Sequence, residues 1–351
     1  MILKTLNSMR KRMSWTDARV LLLKAGIEPG LGWNKTIEKI KQLPVQPDAG
    51  PLQDQVIEHI LCGQKFTKLY PLNPKDRTAL QAKLVDQKIP DIAAALSFPN
   101  HLTEDQLIEH PGGFSPVSVE SDDDGIGLVF SSAFQMKKRE DIPFEEFGHP
   151  DEIRARYDEI VGVTFQWEQI MSVIWVPHHR DNIELRIDYP KGMTQDAIHA
   201  LHSQLRELVN SLGVVKLVKA INLFPAVRNF YDDKKEGRVT EIMFSTTTGG
   251  IKNEKIIKRR GQIDQRDETY HLAGKAGLDT EINLYRVTVE WSFTEDNLFF
   301  KPSILLAATG PSGKGPGGEP TISGAVIGGC VRAADYEFVI ERLGQKVKLT
   351  A

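Results

Sequence analysis

The stretch IMSVIWVPHHRDNIELRIDY, residues 170–189, decides the fold. Residues 170–177 and 183–189 are rich in β-branched and aromatic side chains. The polar run 178–182 between them reads as a turn, so the two segments form a hairpin. Thr194 follows as a helix N-cap, and Ile198, Leu201, Leu205, Leu208, Val209 and Leu212 then recur mostly at spacings of three and four until Gly213. Further strands are expected at residues 239–246, 282–293, 303–308, 322–332 and 336–343, with a short helix at 224–231. Upstream, residues 125–136 read as a strand after the acidic turn 120–124, and residues 144–159 as mostly helical. Strands do not alternate regularly with helices, as a doubly wound parallel sheet requires. The fold class is therefore α+β, with a mostly antiparallel β-rich region carrying a few helices.

The first 113 residues have a different texture. Ser14 can cap a helix whose apolar run Val20 to Leu23 ends at Gly26. A second helix covers residues 33–43, with Ile37 and Ile40 on one face and Pro44 stopping it. Pro51 opens a third, through Val56, Ile57, Ile60 and Leu61 to Gly63. FTKLYPL, residues 66–72, reads as a short strand, and helices follow at 75–84, 90–96 and 103–110. Pro111-Gly112-Gly113 is the natural punctuation, dividing the chain into a helical domain, 1–113, and an α+β domain, 114–351.

Composition is ordinary for a chain that buries a real core: 351 residues, 40% hydrophobic and 26% charged. Cys62 and Cys330 are the only cysteines. They are too few for a disulfide framework or a structural zinc site, so a reducing compartment is expected. No segment approaches the apolar length that spans a bilayer, and the first residues lack the apolar block of a secretory signal. A cytoplasmic location, with no membrane contact, follows as the expectation.

Charge is unevenly placed. Residues 1–43 carry nine Lys and Arg against three Asp and Glu, a local +6. The net charge of −3 then leaves −9 for the rest. Such a chain is not steered as a whole toward polyanions, but its N-terminus can contact one. Within it, ARVLLLKAGIEPGLGWNKTIEKIKQL, residues 18–43, has a leucine-rich helix, Lys24-Ala25-Gly26-Ile27, a glycine-bearing loop, and Lys35 followed by Ile37 and Ile40. This resembles the SAP module, a helix–extended loop–helix that binds DNA or RNA. Physically, this arrangement would place the amides of Asn34 and Lys35 against a phosphate, with Trp33, Lys39 and Lys41 beside them, and Arg10, Lys11 and Arg12 of the same basic N-terminus are expected to join the contact. A second basic stretch, IKNEKIIKRRGQ (251–262), offers Lys252, Lys255, Lys258, Arg259 and Arg260 from a mobile loop or short helix.

Other signals are weaker. The glycine-rich loop 308–320 echoes a phosphate-binding loop at Gly313-Lys314. However, Ala308 stands at that motif's first glycine and Gly315 at its hydroxyl position, so a hairpin connection is the simpler reading. His199 and His202 share a helix face without an adjoining carboxylate or thiol motif. Glu184, Arg186 and Asp188 alternate along one strand, which reads as an exposed, charge-alternating face; a divalent-metal-dependent nuclease centred on Glu184 and Asp188 is the alternative. No serine elbow is present. The leading expectation is a non-catalytic cytoplasmic protein of prokaryotic type that binds nucleic acid and uses no cofactor. Its C-terminal region would supply oligomerisation or a sensing surface. A partner-binding subunit of a larger complex is the third reading.

Overall fold

A computed structural model describes residues 1–246, 248–257, 263–308 and 320–347. In chain order it opens with helices α1 (Ile2–Arg12), α2 (Trp15–Lys24), α3 (Gly32–Lys41) and α4 (Gly50–Cys62), then strand β1 (Lys65–Pro71). Helices α5 (Pro74–Val85), α6 (Ala93–Ser97) and α7 (Glu104–Ile108) precede β2 (Ser115–Ser121) and the long β3 (Gly125–Asp141). A short α8 (Pro150–Arg154) lies between β3 and the equally long β4 (Val161–Pro177); β5 (Asn182–Asp188), α9 (Gln195–Ser211) and α10 (Phe224–Asp232) follow. The remainder is β6 (Arg238–Ser245), β7 (Ile251–Lys255), α11 (Thr269–Ala276), β8 (Asn283–Glu290), the small hairpin β9 (Phe293–Glu295) and β10 (Leu298–Phe300), β11 (Ser303–Ala307), β12 (Ala325–Gly328) and α12 (Ala333–Val347).

Ten of these strands form one antiparallel sheet in the order β2-β3-β4-β5-β1-β12-β11-β8-β6-β7. The α+β expectation holds. The segment expected as a short strand within the helical region is β1, and it lies between β5 and β12. Residues 1–113 and 114–351 therefore share a single sheet.

Alternation along the strands decides which helices lie where. On β5, Ile183, Leu185 and Ile187 join Ile198, Leu201, Leu205 and Val209 of α9 in one core. Burying each such side chain stabilises the fold by about 2 kcal/mol. Thr194 caps α9 by accepting the Ala197 N–H at 3.2 Å. On the opposite face, Met171, Val173 and Trp175 of β4 pack under Ile2, Leu6 and Met9 of α1 and under α2, α3 and α4. Helices α10 and α12 cover the other half of the sheet, with Phe230, Tyr336, Val339 and Leu343 against Val287, Val289, Ile304 and Ile327.

Three local expectations change. Residues 336–343, expected as a strand, belong to α12. Tyr336, Val339, Ile340 and Leu343 are buried at helical spacing, and the Asp335 carboxylate accepts the N–H groups of Val331 and Arg332 ahead of the helix. Residues 144–159 hold only a 3₁₀ turn (Phe144–Glu146) and α8, because no side chain of either is buried and a longer helix has no core to pack on. The basic stretch 251–262 begins as β7, paired with β6. Its Lys258, Arg259 and Arg260 lie outside the described residues, as do residues 309–319 of the glycine-rich loop.

Candidate functional site

The basic C-terminal turn of α1 (Arg10, Lys11, Arg12) ends over the junction of β1, β4 and β5. Lys65 and Asp188 are directly opposed in the β1–β5 register, so their side chains leave the sheet together. Arg12 reaches across 176 positions to complete the cluster. Its Nη1 and Nη2 donate to the Asp188 carboxylate at 2.7 and 2.8 Å, Lys65 Nζ donates at 2.7 Å and the Met171 amide at 2.9 Å. Burial alone would raise the Asp188 carboxyl, but Arg12 and Lys65 hold it well below the usual carboxylate range. Burial also pushes the Lys65 ammonium down to about 8 against the pull of Asp188.

Beside this cluster opens a cleft of about 250 Å³, lined among others by Lys11, Arg12, His59, His101, Gln169 and Lys191. His59 lies on the buried stripe of α4 and is 5% exposed. Gly63 makes its position possible, since a Cβ there would lie 2.7 Å from the His59 ring. Among the described residues, His59 Nδ1, His101 Nδ1 and Arg12 Nε are buried with no hydrogen-bond partner. Burial, reinforced by Arg12, drives His59 down to about 3; the same causes, with Lys11, drive His101 down to about 4. Both rings are therefore neutral at physiological pH. The cleft's carboxylates are engaged: Asp188 as described, and Glu168 with Lys138 at 3.4 Å. Lys11 and Lys191 add positive charge at the rim. Chemically, this is a half-enclosed positive site with buried nitrogens still lacking partners, suited to an oxyanion.

The residues expected to contact nucleic acid are dispersed by the fold. Arg12 is a buried structural cation. Arg10 donates to Asn34 at 3.1 Å and ties α1 to α3. Trp33 packs edge-on against Trp15, with centroids 5.3 Å apart. Lys35 pairs with Glu38 at 3.1 Å and Lys39 with Glu28 at 2.8 Å. Lys11 and Lys41 are exposed. Lys252 and Lys255 sit on β7, where Lys255 pairs with Glu241 at 2.8 Å. Strand β7 is six positions from β5 in the sheet, about 29 Å at ~4.8 Å per strand, so among the described residues Lys252 and Lys255 do not meet the N-terminal basic stretch.

Glu184 and Arg186 are not on an exposed face, as their alternation suggested, but are buried at 0 and 3% exposure. Helices α4 and α12 close over that side of β5. The Arg186 guanidinium lies between the Trp175 and Tyr336 rings at 4.9 and 4.1 Å and donates to Glu184 at 3.0 Å and to the Leu61 carbonyl at 3.1 Å. Arg180 donates to Glu184 at 2.6 Å and also binds Glu337. Glu184 is thus neutralised by two arginines and Asp188 by an arginine and a lysine. Among the described residues, no group of three or more His, Cys, Asp or Glu is placed to hold a metal ion.

His59, His101 and Lys65 were not singled out by sequence. The available signal was His59 within the Val56–Ile60 apolar stripe, a polar residue at a core position. His202, paired by spacing with His199, is buried and hydrogen-bonded to the Phe66 carbonyl at 3.0 Å. Among the described residues no helix is long and apolar enough to cross a membrane. Compared with protein-family models, curated proteins and solved structures, the chain matches none.

Proposed function

We propose that this protein binds nucleic acid without cleaving it, using the end of α1 and the adjoining cleft to hold backbone phosphate. The observation that carries the reading is the cleft itself. Its basic rim, Lys11 and Lys191, adjoins buried nitrogens of His59, His101 and Arg12 that have no hydrogen-bond partner among the described residues. A phosphate oxygen can accept from the Arg12 Nε–H and from an imidazole whose tautomer carries its proton on Nδ1, and its charge complements Lys11 and Lys191. The helix–loop–helix of α2 and α3 lies beside α1, to which Asn34 of α3 is tied by Arg10. Two free, buried cysteines support a reducing, cytoplasmic setting.

The test is binding of labelled DNA and RNA oligonucleotides over a salt series, comparing wild type with Lys11→Glu and Lys191→Glu. Point variants are required because Ile2, Leu6 and Met9 of α1 belong to the core, so deleting the N-terminus removes fold and site together. Each variant is expected to weaken binding across sequences and to lower the salt slope by about 1. Absence of affinity at low salt, or affinity indifferent to both variants, overturns the proposal.

A further inference from the structure

The two longest strands leave the sheet together. β2 pairs with β3 no further along than Ser131, and β5 pairs with β4 only over residues 172–175. The β3–β4 ladder nevertheless continues alone to Asp141 opposite Val161. Beyond Met136 and Trp167 the ribbon is no longer covered by helices, and residues 137–141 and 161–165 project with the 142–160 connection at their tip. A bare two-stranded ribbon is marginal in water. This one also displays apolar side chains where solvent should favour polar ones. Val161, Val163 and Phe165 are 45, 49 and 61% exposed. They share one face by alternation, on the side that carries the buried Met171, Val173 and Trp175 further along β4.

The charges around this stripe are segregated. Lys137 and Arg139 stand opposite Phe165 and Val163 in the register, on the same face, and neither makes an ion pair among the described residues. Residues 140–159 carry eight carboxylates and two arginines, a net −6. Arg154 is already committed within the tip, to Glu145 and Asp151. A basic stem thus adjoins an acidic tip on one projecting ribbon.

We infer that the β3–β4 ribbon is a dimerisation arm whose occupant is the same ribbon of a second copy of this chain. With the arms antiparallel across a two-fold axis, the Val161–Val163–Phe165 stripes face each other, and each stem lies beside the other's tip. The interface is isologous, so a single sequence satisfies both sides. Charge complementarity selects this occupant. A polyanion is repelled by the tip, and an acidic protein partner would satisfy Lys137 and Arg139 but leave the tip carboxylates unanswered. This inference does not depend on the nucleic-acid reading.

The experiment is sedimentation equilibrium of the full chain across the micromolar range, with circular dichroism and thermal melting as fold controls. Wild type is expected to dimerise, more weakly as salt rises. The double variant Val163→Asp, Phe165→Asp is expected to be monomeric with an unchanged melting temperature, because these side chains are largely exposed in the single chain. The stem variant Lys137→Glu, Arg139→Glu should weaken the dimer about tenfold. Mixing it with the tip variant Asp141→Lys, Glu146→Lys should restore a heterodimer. A monomeric wild type, or a dimer unaffected by the Val163 and Phe165 changes, overturns the inference. So does a monomer whose oligonucleotide affinity falls with the stem changes, which would make the arm a nucleic-acid contact instead.

Discussion

Replacing Asp188 by Asn is the sharpest test of how the N-terminal helices are held to the sheet. The carboxylate accepts four short hydrogen bonds, from Arg12 Nη1 and Nη2, Lys65 Nζ and the Met171 amide, all between 2.7 and 2.9 Å. Asparagine keeps the shape but presents an NH₂ group to donors and cancels the charge that opposes two cations. Lys65 is 0% exposed, so its ammonium would be stranded in the core. Breaking a buried pair by removing one partner costs about 3–5 kcal/mol. Unfolding entropy of about 2.1 cal/mol/K per residue converts this to a fall in melting temperature of about 4–7 °C for a chain of this length. The loss should depend on pH with a definite sign. Lys65 already titrates at about 8 in the fold, against 10.5 unfolded, with Asp188 raising it. Without that carboxylate the folded value drops further, so the variant sheds the stranded proton earlier and its deficit narrows between about pH 7 and pH 9. Chemical denaturation at both pH values measures this directly. Adding Lys65→Met to Asp188→Asn should recover part of the loss. A variant within about 1 kcal/mol of wild type, or strict additivity of Asp188→Asn with Arg12→Met, would refute the clamp.

The imidazoles predict acid sensitivity. His59 and His101 titrate at about 3 and about 4 in the fold, below the unfolded value near 6.5. Their neutral forms therefore favour the fold fully above pH 6.5, and that stability is lost as pH falls toward the folded values. At pH 5 each is worth about 2 kcal/mol, together roughly 4. Equilibrium unfolding of His59→Gln at pH 7.5 and 5.0 should show a loss smaller than that of wild type by about 2 kcal/mol. Arg186→Lys keeps the charge but not the planar contact between Trp175 and Tyr336 nor the fork to Glu184, so it should cost about 2–4 kcal/mol, read by urea denaturation; a neutral result would show that the guanidinium is dispensable. Thr194→Ala removes the cap of α9 and should cost about 1 kcal/mol with no effect on oligonucleotide affinity, checked by melting and anisotropy together.

Much of the local structure was readable because its signals are local. Ser14 and Thr194 cap the helices they precede, and the hairpin of residues 170–189 is β4–β5. The strand at 66–72 was also legible, although nothing within it indicates that it would enter the sheet between β5 and β12. Residues 336–343 failed for a specific reason. Tyr336, Phe338 and Ile340 alternate as a strand would, and the competing spacing of Tyr336, Val339, Ile340 and Leu343 prevails because it buries one face on β8, β11 and β12.

The candidate site belongs almost wholly to tertiary structure. The amino-acid sequence determined that the N-terminus is basic, that residues 137–139 are basic and 140–159 acidic, and that Glu184, Arg186 and Asp188 share one strand face. It could not determine which charges remain free. Arg12 finds Asp188 across 176 positions, Lys35 and Lys39 are paired close to home, and the Nδ1 atoms of His59 and His101 find no partner among the described residues, in a cleft made by distant segments. Charge is a property of composition. Its availability depends on burial and on which opposite charge the packed chain brings within hydrogen-bond range, and no local pattern encodes that.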